Sequence, residues 1–145
     1  MIDGVQLVPL RVIPTPGGEV RHALKANAPG FAGFGEAYFS ELRPGAIKAW
    51  KLHRHMVCNL VGAAGEVRVQ LLDLRPGSAT HGADQSCLLG PLHAQRLVLP
   101  PGLWFGLQGR GVGLNLVLNI ASIAHDPAEA ESAALDDPRF CGLPW

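Results

Sequence analysis

The chain carries no excess of charge: 12 Lys and Arg offset 12 Asp and Glu over 145 residues, and no block of like sign stands out. The field that draws in a nucleic-acid backbone is missing, so a nucleic-acid partner is not expected. Long hydrophobic runs are also absent. The longest apolar stretch, Leu97 to Leu107, is broken by Pro and Gly and falls short of the ~20 residues a membrane helix needs. Asp3, Pro9 and Pro14 stand where a signal peptide would place a basic start and an apolar run, which points to a cytoplasmic protein with no membrane partner. Cysteine is scarce, and Cys58, Cys87 and Cys141 are odd in number and widely spaced, which fits neither a disulfide framework nor a zinc ribbon. Tyrosine occurs once, at Tyr38. Neither an internal repeat nor a low-complexity segment interrupts the pattern.

What the chain has in quantity is punctuation. Its 18 Gly and 12 Pro are spread at intervals, and 48% of its residues are hydrophobic. A chain of this length fits one domain that buries roughly 70% of the surface its unfolded form exposes. Between the Gly and Pro lie runs of five to eight residues rich in Val, Ile, Leu, Phe and Trp, the pattern of an all-β sandwich or barrel. Strands are expected at Val5–Val12, Glu19–Lys25, Glu36–Leu42, Ile47–Leu52, Asn59–Ala63, Glu66–Asp73, Ser86–Leu89, Arg96–Leu99, Trp104–Gln108 and Val112–Ile120. Pro16-Gly17-Gly18, Pro44-Gly45, Arg75-Pro76-Gly77-Ser78 and Pro100-Pro101-Gly102 supply turns. In Glu66–Asp73, Val67, Val69 and Leu71 alternate with Arg68 and Gln70, so one face packs and the other is wet or lines a site. One helix is expected, Pro127–Leu135, with Asp126 as its cap, Pro127 in the first position and Glu129 and Glu131 in the early turns.

The sharpest chemical signal is Lys48-Ala49-Trp50-Lys51-Leu52-His53-Arg54-His55. Two histidines two residues apart on an extended strand point to the same face. Together with Pro100-Pro101-Gly102 downstream, this resembles the two cupin motifs, and it implies a jelly roll, or double-stranded β-helix. Asn59 stands where the first motif carries a metal-binding Glu, and Phe105 where the second carries a His. Two imidazoles alone leave a divalent ion short of the three or four protein ligands it normally takes, so no bound metal is expected.

A second resemblance runs along nearly the whole chain. Its stretches are Gly4-Val5 through Val12-Ile13-Pro14, Phe34 to Glu41, Ile47 to His53, Asp73 to Thr80, Pro100-Pro101-Gly102, His125-Asp126-Pro127, and Asp136-Asp137-Pro138 through Pro144-Trp145. In order and spacing the sequence is similar to a short, divergent branch of the dTDP-4-dehydrorhamnose 3,5-epimerase family. The resemblance implies a homodimeric jelly roll, without a cofactor, that acts on a nucleotide sugar of the dTDP-4-keto-6-deoxyhexose kind. Such a reaction lifts a proton from carbon beside the C4 ketone and returns it to the other face, which needs a base, an enolate stabiliser and an acid. His53 falls on the family's base, and Asp137 or Asp136 near the carboxylate that orients it.

Several of the family's other positions are substituted. Asn119-Ile120-Ala121-Ser122-Ile123-Ala124 occupies the stretch that holds its acidic tyrosine, which leaves water or Tyr38 as the acid. Asn59 aligns with its enolate-stabilising lysine, Phe105 with its second pocket histidine and Gly17 with its phosphate-binding arginine. Substrate contacts are expected from His55, Asn59, Lys48 and Tyr38, and from Trp104, which together with Trp50 offers a ring to stack on thymine or sugar. Arg21, Lys25, Lys48, Lys51, Arg54 and Arg68 are the cations available to a diphosphate, Arg68 foremost by alternation. Trp145 is expected to pack the C-terminus down. Three readings follow: an epimerase with His53 as base, a 3,4-ketoisomerase on the same substrate class, whose motif also carries a His-x-His pair, or an inactive cupin that still binds a nucleotide sugar. Sheet edges in such barrels need cover, and Val5–Val12 is the strand expected to exchange between subunits.

Overall fold

Almost every apolar run bounded by turn residues forms a strand in the computed structural model, which describes all residues from Met1 to Trp145. Twelve strands follow in order: β1 (Gln6–Pro9), β2 (Val12–Thr15), β3 (Gly18–Arg21), β4 (Glu36–Leu42), β5 (Ile47–His53), β6 (Cys58–Ala64), β7 (Val67–Leu72), β8 (Asp84–Leu89), β9 (Gln95–Leu99), β10 (Trp104–Gly109), β11 (Asn115–Ala121) and β12 (Ala130–Ser132). They make two five-stranded antiparallel sheets, ordered β1-β9-β6-β11-β4 and β12-β5-β10-β7-β8, with β2 and β3 as a separate hairpin. The order interleaves distant segments, as the jelly roll demands.

The main core lies between the two sheets. Val67, Val69 and Leu71 of β7, Leu97 and Leu99 of β9, and Val117 and Ala121 of β11 are buried there, with Leu42, Leu60, Phe105 and Leu107. The period-two pattern of β7 thus sends its apolar side inward, as alternation requires. A second cluster, Trp50, Leu72, Trp104 and Phe140, packs with Leu143 and Trp145 of the C-terminal segment. Trp145 therefore does hold down the C-terminus, its ring centroid 5.1 Å from that of Trp50.

Three expectations are corrected. The run Val5–Val12 breaks at Leu10 and Arg11, so β1 pairs with β9 of its own chain and β2 turns away into the hairpin with β3. Val112 lies in an exposed loop, and the strand expected from there begins only at Asn115. The helix expected at Pro127–Leu135 is a single 3-10 turn, Pro127–Glu129, capped by Asp126 as anticipated, after which the chain extends into β12. The reason is tertiary. Ala130, Glu131 and Ser132 pair with His53, Leu52 and Lys51 on the open edge of β5, and sheet pairing outweighs a weak helical preference. All three cysteines are free.

Candidate active site

The inner residues of β4 and β5 face one another across the open side of the sandwich. In β4 the alternation leaves Ala37, Phe39 and Glu41 exposed and sends Glu36, Tyr38 and Ser40 to the inner side. A cavity of about 390 Å³ lies against Tyr38, Ser40, Lys48, Trp50, Lys51, Leu60, Phe105, Leu107, Val117 and Asn119, with Ser132 and Ala133 also in its lining. A polar space of about 340 Å³ adjoins it, bordered by Glu36, Tyr38, Lys51, His53, Met56 and His125. Tyr38 and Lys51 border both, so the two form one cleft with an apolar part and a polar part.

His53 closes β5 and is only 3% exposed. Its Nδ1 lies 2.8 Å from Glu129 Oε2. The other carboxylate oxygen, Oε1, accepts hydrogen bonds from the backbone N–H groups of His55 (2.9 Å) and Met56 (2.8 Å). Glu129 reaches this place because the capped turn ends on it, just before β12 docks beside His53. Burial by itself would raise the Glu129 carboxyl, but the His55 and Met56 N–H groups and the His53 ring overcome this and hold it at about 2. Burial pushes the His53 imidazole below its ordinary value, and the bond to Glu129 offsets only part of that effect.

The protonation states follow from those directions. At neutral pH Glu129 is a carboxylate and can only accept, so the neutral imidazole carries its proton on Nδ1 and donates it to Glu129. That leaves Nε2 with a bare lone pair. Nε2 is buried and has no hydrogen-bond partner, in a residue that borders the polar part of the cleft. Phe105 stacks on the ring at 5.9 Å between centroids. A neutral, oriented imidazole with a bare Nε2 has the chemistry a general base needs.

Tyr38, from the opposite sheet, accepts a hydrogen bond of 3.0 Å from Asn119 Nδ2. Burial raises its phenol above the ordinary value, the Asn119 bond notwithstanding, so it stays protonated at neutral pH. Lys51 sits two residues before His53 on the same strand.

Of the residues singled out in the sequence, His53, Tyr38 and Lys48 meet in the cleft. Five others do not. The carboxylate on His53 is Glu129; Asp137 instead caps the turn Pro138–Phe140 and pairs with Arg139 at 2.9 Å. β5 ends at His53, so the alternation that would turn His55 inward stops there and His55 is exposed on the rim. Asn59 is buried on the other side of β6, where it bonds the Gly30 carbonyl and accepts from Arg96. Arg68 is on the side of β7 away from Val67 and Val69, and that side is the outside of the barrel, not the cleft. Trp104 packs on Phe140 and under the Arg139 guanidinium, outside the cleft lining. Sequence reasoning also passed over Glu129 and Asn119 as site residues. Glu129 was hidden by the helical reading of its segment. Lys51, counted only among the cations, was within reach, since the alternation argument for His53 runs backwards to it as well as forwards.

No group of three or more His, Cys, Asp or Glu side chains is set to hold a metal ion. No family model matches the chain. Among solved structures, a dTDP sugar isomerase from Desulfovibrio desulfuricans G20 is 39% identical, with a TM-score of 0.93 over 97% of this chain and 90% of that one. The spore coat polysaccharide biosynthesis protein SpsL of Bacillus subtilis (strain 168) is 25% identical, across 100% of this chain and 97% of its own. The dTDP-4-dehydrorhamnose 3,5-epimerase of Bacillus anthracis str. Ames, solved with TDP and PPi bound, is 15% identical. It shares the fold, with a TM-score of 0.87 over 98% of this chain and 85% of that one.

Proposed function

The chain belongs to the dTDP-sugar isomerase and dTDP-4-dehydrorhamnose 3,5-epimerase family of cupin jelly rolls, and we propose that it epimerises a dTDP-linked 4-keto-6-deoxyhexose. His53 Nε2 takes the proton from a carbon beside the C4 ketone; the C–H electron pair becomes the enolate double bond, and the carbonyl electrons move onto oxygen. The observation that carries this reading is the bare, buried Nε2 of a histidine that borders the cleft, with Nδ1 committed to an ionised Glu129. Glu129 fixes the tautomer and compensates the positive charge that the ring gains as it takes the proton. The apolar part of the cleft suits the sugar methyl, and Lys48 at its edge offers a cation to the diphosphate.

The test is incubation with dTDP-4-keto-6-deoxyglucose in deuterium oxide, followed at the C3 and C5 protons by NMR. Wild-type protein exchanges one or both, and His53→Ala loses the exchange. A second reading is a 3,4-ketoisomerase, favoured by the isomerase to which the chain is 39% identical. The same spectra separate the two, because ketoisomerisation places deuterium on C4 and moves the carbonyl to C3. Saturable binding without exchange would leave a nucleotide-sugar binder.

The working unit we propose is a homodimer. β4 is an open sheet edge, and Phe39 and Phe34 beside it are 63% and 66% exposed, a liability that a second copy would remove. Light scattering on a sizing column is expected to give twice the chain mass, and Phe39→Glu to give the monomer.

A further inference from the structure

We infer that Arg75, which belongs to neither part of the cleft lining, is a positioning residue for His53: its stem backs the Pro100-Pro101-Gly102 turn, and that turn holds the His53 backbone carbonyl. This inference rests on the reading of His53 as the base and names a residue that acts through it.

His53 is the last residue of β5, where the ladder that fixes a strand gives out. The peptide group that follows it is held from both sides instead. The Arg54 N–H donates to the Glu129 carbonyl at 2.8 Å, on the side of β12, and the His53 carbonyl accepts from the Gly102 N–H at 2.7 Å, on the side of β10. The imidazole leaves the same Cα, so a shift of this peptide moves the ring with it. A misplacement of about 1 Å can cost a reaction roughly 10²-fold.

The turn that supplies the Gly102 N–H is itself backed by Arg75. Gly102 has φ +84°, a conformation that suits glycine, and a Cβ there would come within 3.0 Å of Arg75 Cδ and 3.1 Å of its Cγ. The arginine stem thus lies directly against the turn. It cannot swing away, because its head is fixed. Nε donates to Asp73 Oδ1 at 2.9 Å, and Nη2 donates to Asp73 Oδ2 and to the Asp3 carbonyl, both at 2.8 Å. Asp73 is fully buried and also accepts from the Ser78 and Thr80 hydroxyls, at 2.6 and 2.7 Å. An ion pair that served stability alone would need no contact with the turn. Here an unbroken path of contacts runs from a buried carboxylate, through a guanidinium fork and its stem, to the backbone of the base. Lysine lacks the fork that meets both Asp73 oxygens, so it cannot fix its stem in the same way.

The experiment uses the full chain and two variants, Arg75→Lys and Gly102→Ala. Proton exchange from dTDP-4-keto-6-deoxyglucose in deuterium oxide gives kcat and KM, calorimetry gives dTDP affinity, and ¹⁵N NMR of the histidine rings reports the Nδ1–H that His53 donates to Glu129. Arg75→Lys is expected to lower kcat about tenfold and Gly102→Ala about 10²-fold, with KM and dTDP affinity within about threefold of wild type. The His53 Nδ1–H signal is expected to shift or broaden in both, while circular dichroism stays that of the folded protein. A lowered urea midpoint, with kcat and the His53 ring signal unchanged in both variants, makes the cluster purely structural and overturns the assignment. If Gly102→Ala does not fold, Arg75→Lys decides by the same readings. Absence of exchange in the wild-type protein overturns the reading of His53 as the base, and with it a role of Arg75 in the reaction. That result is distinct from a failure of the variants, because the ring spectra are read without turnover.

Discussion

The properties of His53 are set by one neighbour and by burial. Glu129 commits one oxygen to the loop that follows β5, accepting from the His55 and Met56 backbone, and the other to the His53 ring at the end of that strand. In Glu129→Gln the carbonyl oxygen can satisfy only one of these sets. If it keeps the backbone, the amide donates toward Nδ1, the ring proton moves to Nε2 and the base is blocked. Exchange of the substrate C–H is therefore expected to fall by roughly 10²-fold or more while the fold persists, as measured by NMR alongside circular dichroism. The pH profile of the wild-type protein gives a second test. The base must be neutral and burial lowers its pKa, so exchange falls on acidification with a midpoint below about 6.5, the ordinary histidine value.

At the scale of elements, the site is held between β5 and what covers it. β12 pairs with its edge, and the C-terminal segment lies over its outer side, where Phe140 stacks on Trp50 at 4.4 Å. Gly106 of β10 makes room for that segment: a Cβ there would come within 2.6 Å of both the Trp145 ring and the Ala49 side chain. Gly106→Ala is expected to cost about 1–3 kcal/mol in urea unfolding, and a smaller amount in a Trp145→Ala background, because part of the collision is gone. The strands that formed this frame were legible from Glu36–Leu42, Glu66–Asp73 and Trp104–Gln108, where turn residues and alternation agree. Pro127–Leu135 was not, because a capped turn looks the same in sequence whether a helix or an edge strand follows; only the unpaired edge of β5 decides. The same gap hid the partner of His53. A base can be read from its strand, but the carboxylate that serves it comes from a segment 76 residues away, and spacing along the chain carries no record of that meeting. Asn59 and Arg68 failed for a simpler reason, as alternation says which residues share a face but not which face holds the cleft.

For the whole molecule, the buried polar groups make stability depend on acid in a defined direction. His53 has a lowered pKa in the folded state, so below about pH 6.5 the unfolded chain takes up a proton that the folded chain resists, and stability declines from there. Glu129, held at about 2, contributes stability that is fully present above the unfolded carboxylate value of about 4.3 and is lost as pH falls toward 2. Asp73 acts with the same sign. It is fully buried and accepts from the Arg75 guanidinium, Ser78 Oγ and Thr80 Oγ1, which hold its carboxyl far below the usual range. All three groups bind fewer protons folded than unfolded, so no term offsets another. Urea midpoints measured from pH 8 to pH 2 are expected to be level down to about 6.5, to decline shallowly to about 4.5 and then to drop steeply. In His53→Asn the shallow part disappears while the steep part remains, since the backbone N–H groups of His55 and Met56 still hold Glu129 ionised. A shallow decline that survives in His53→Asn would assign it to another histidine and would mean that His53 is not kept neutral by burial.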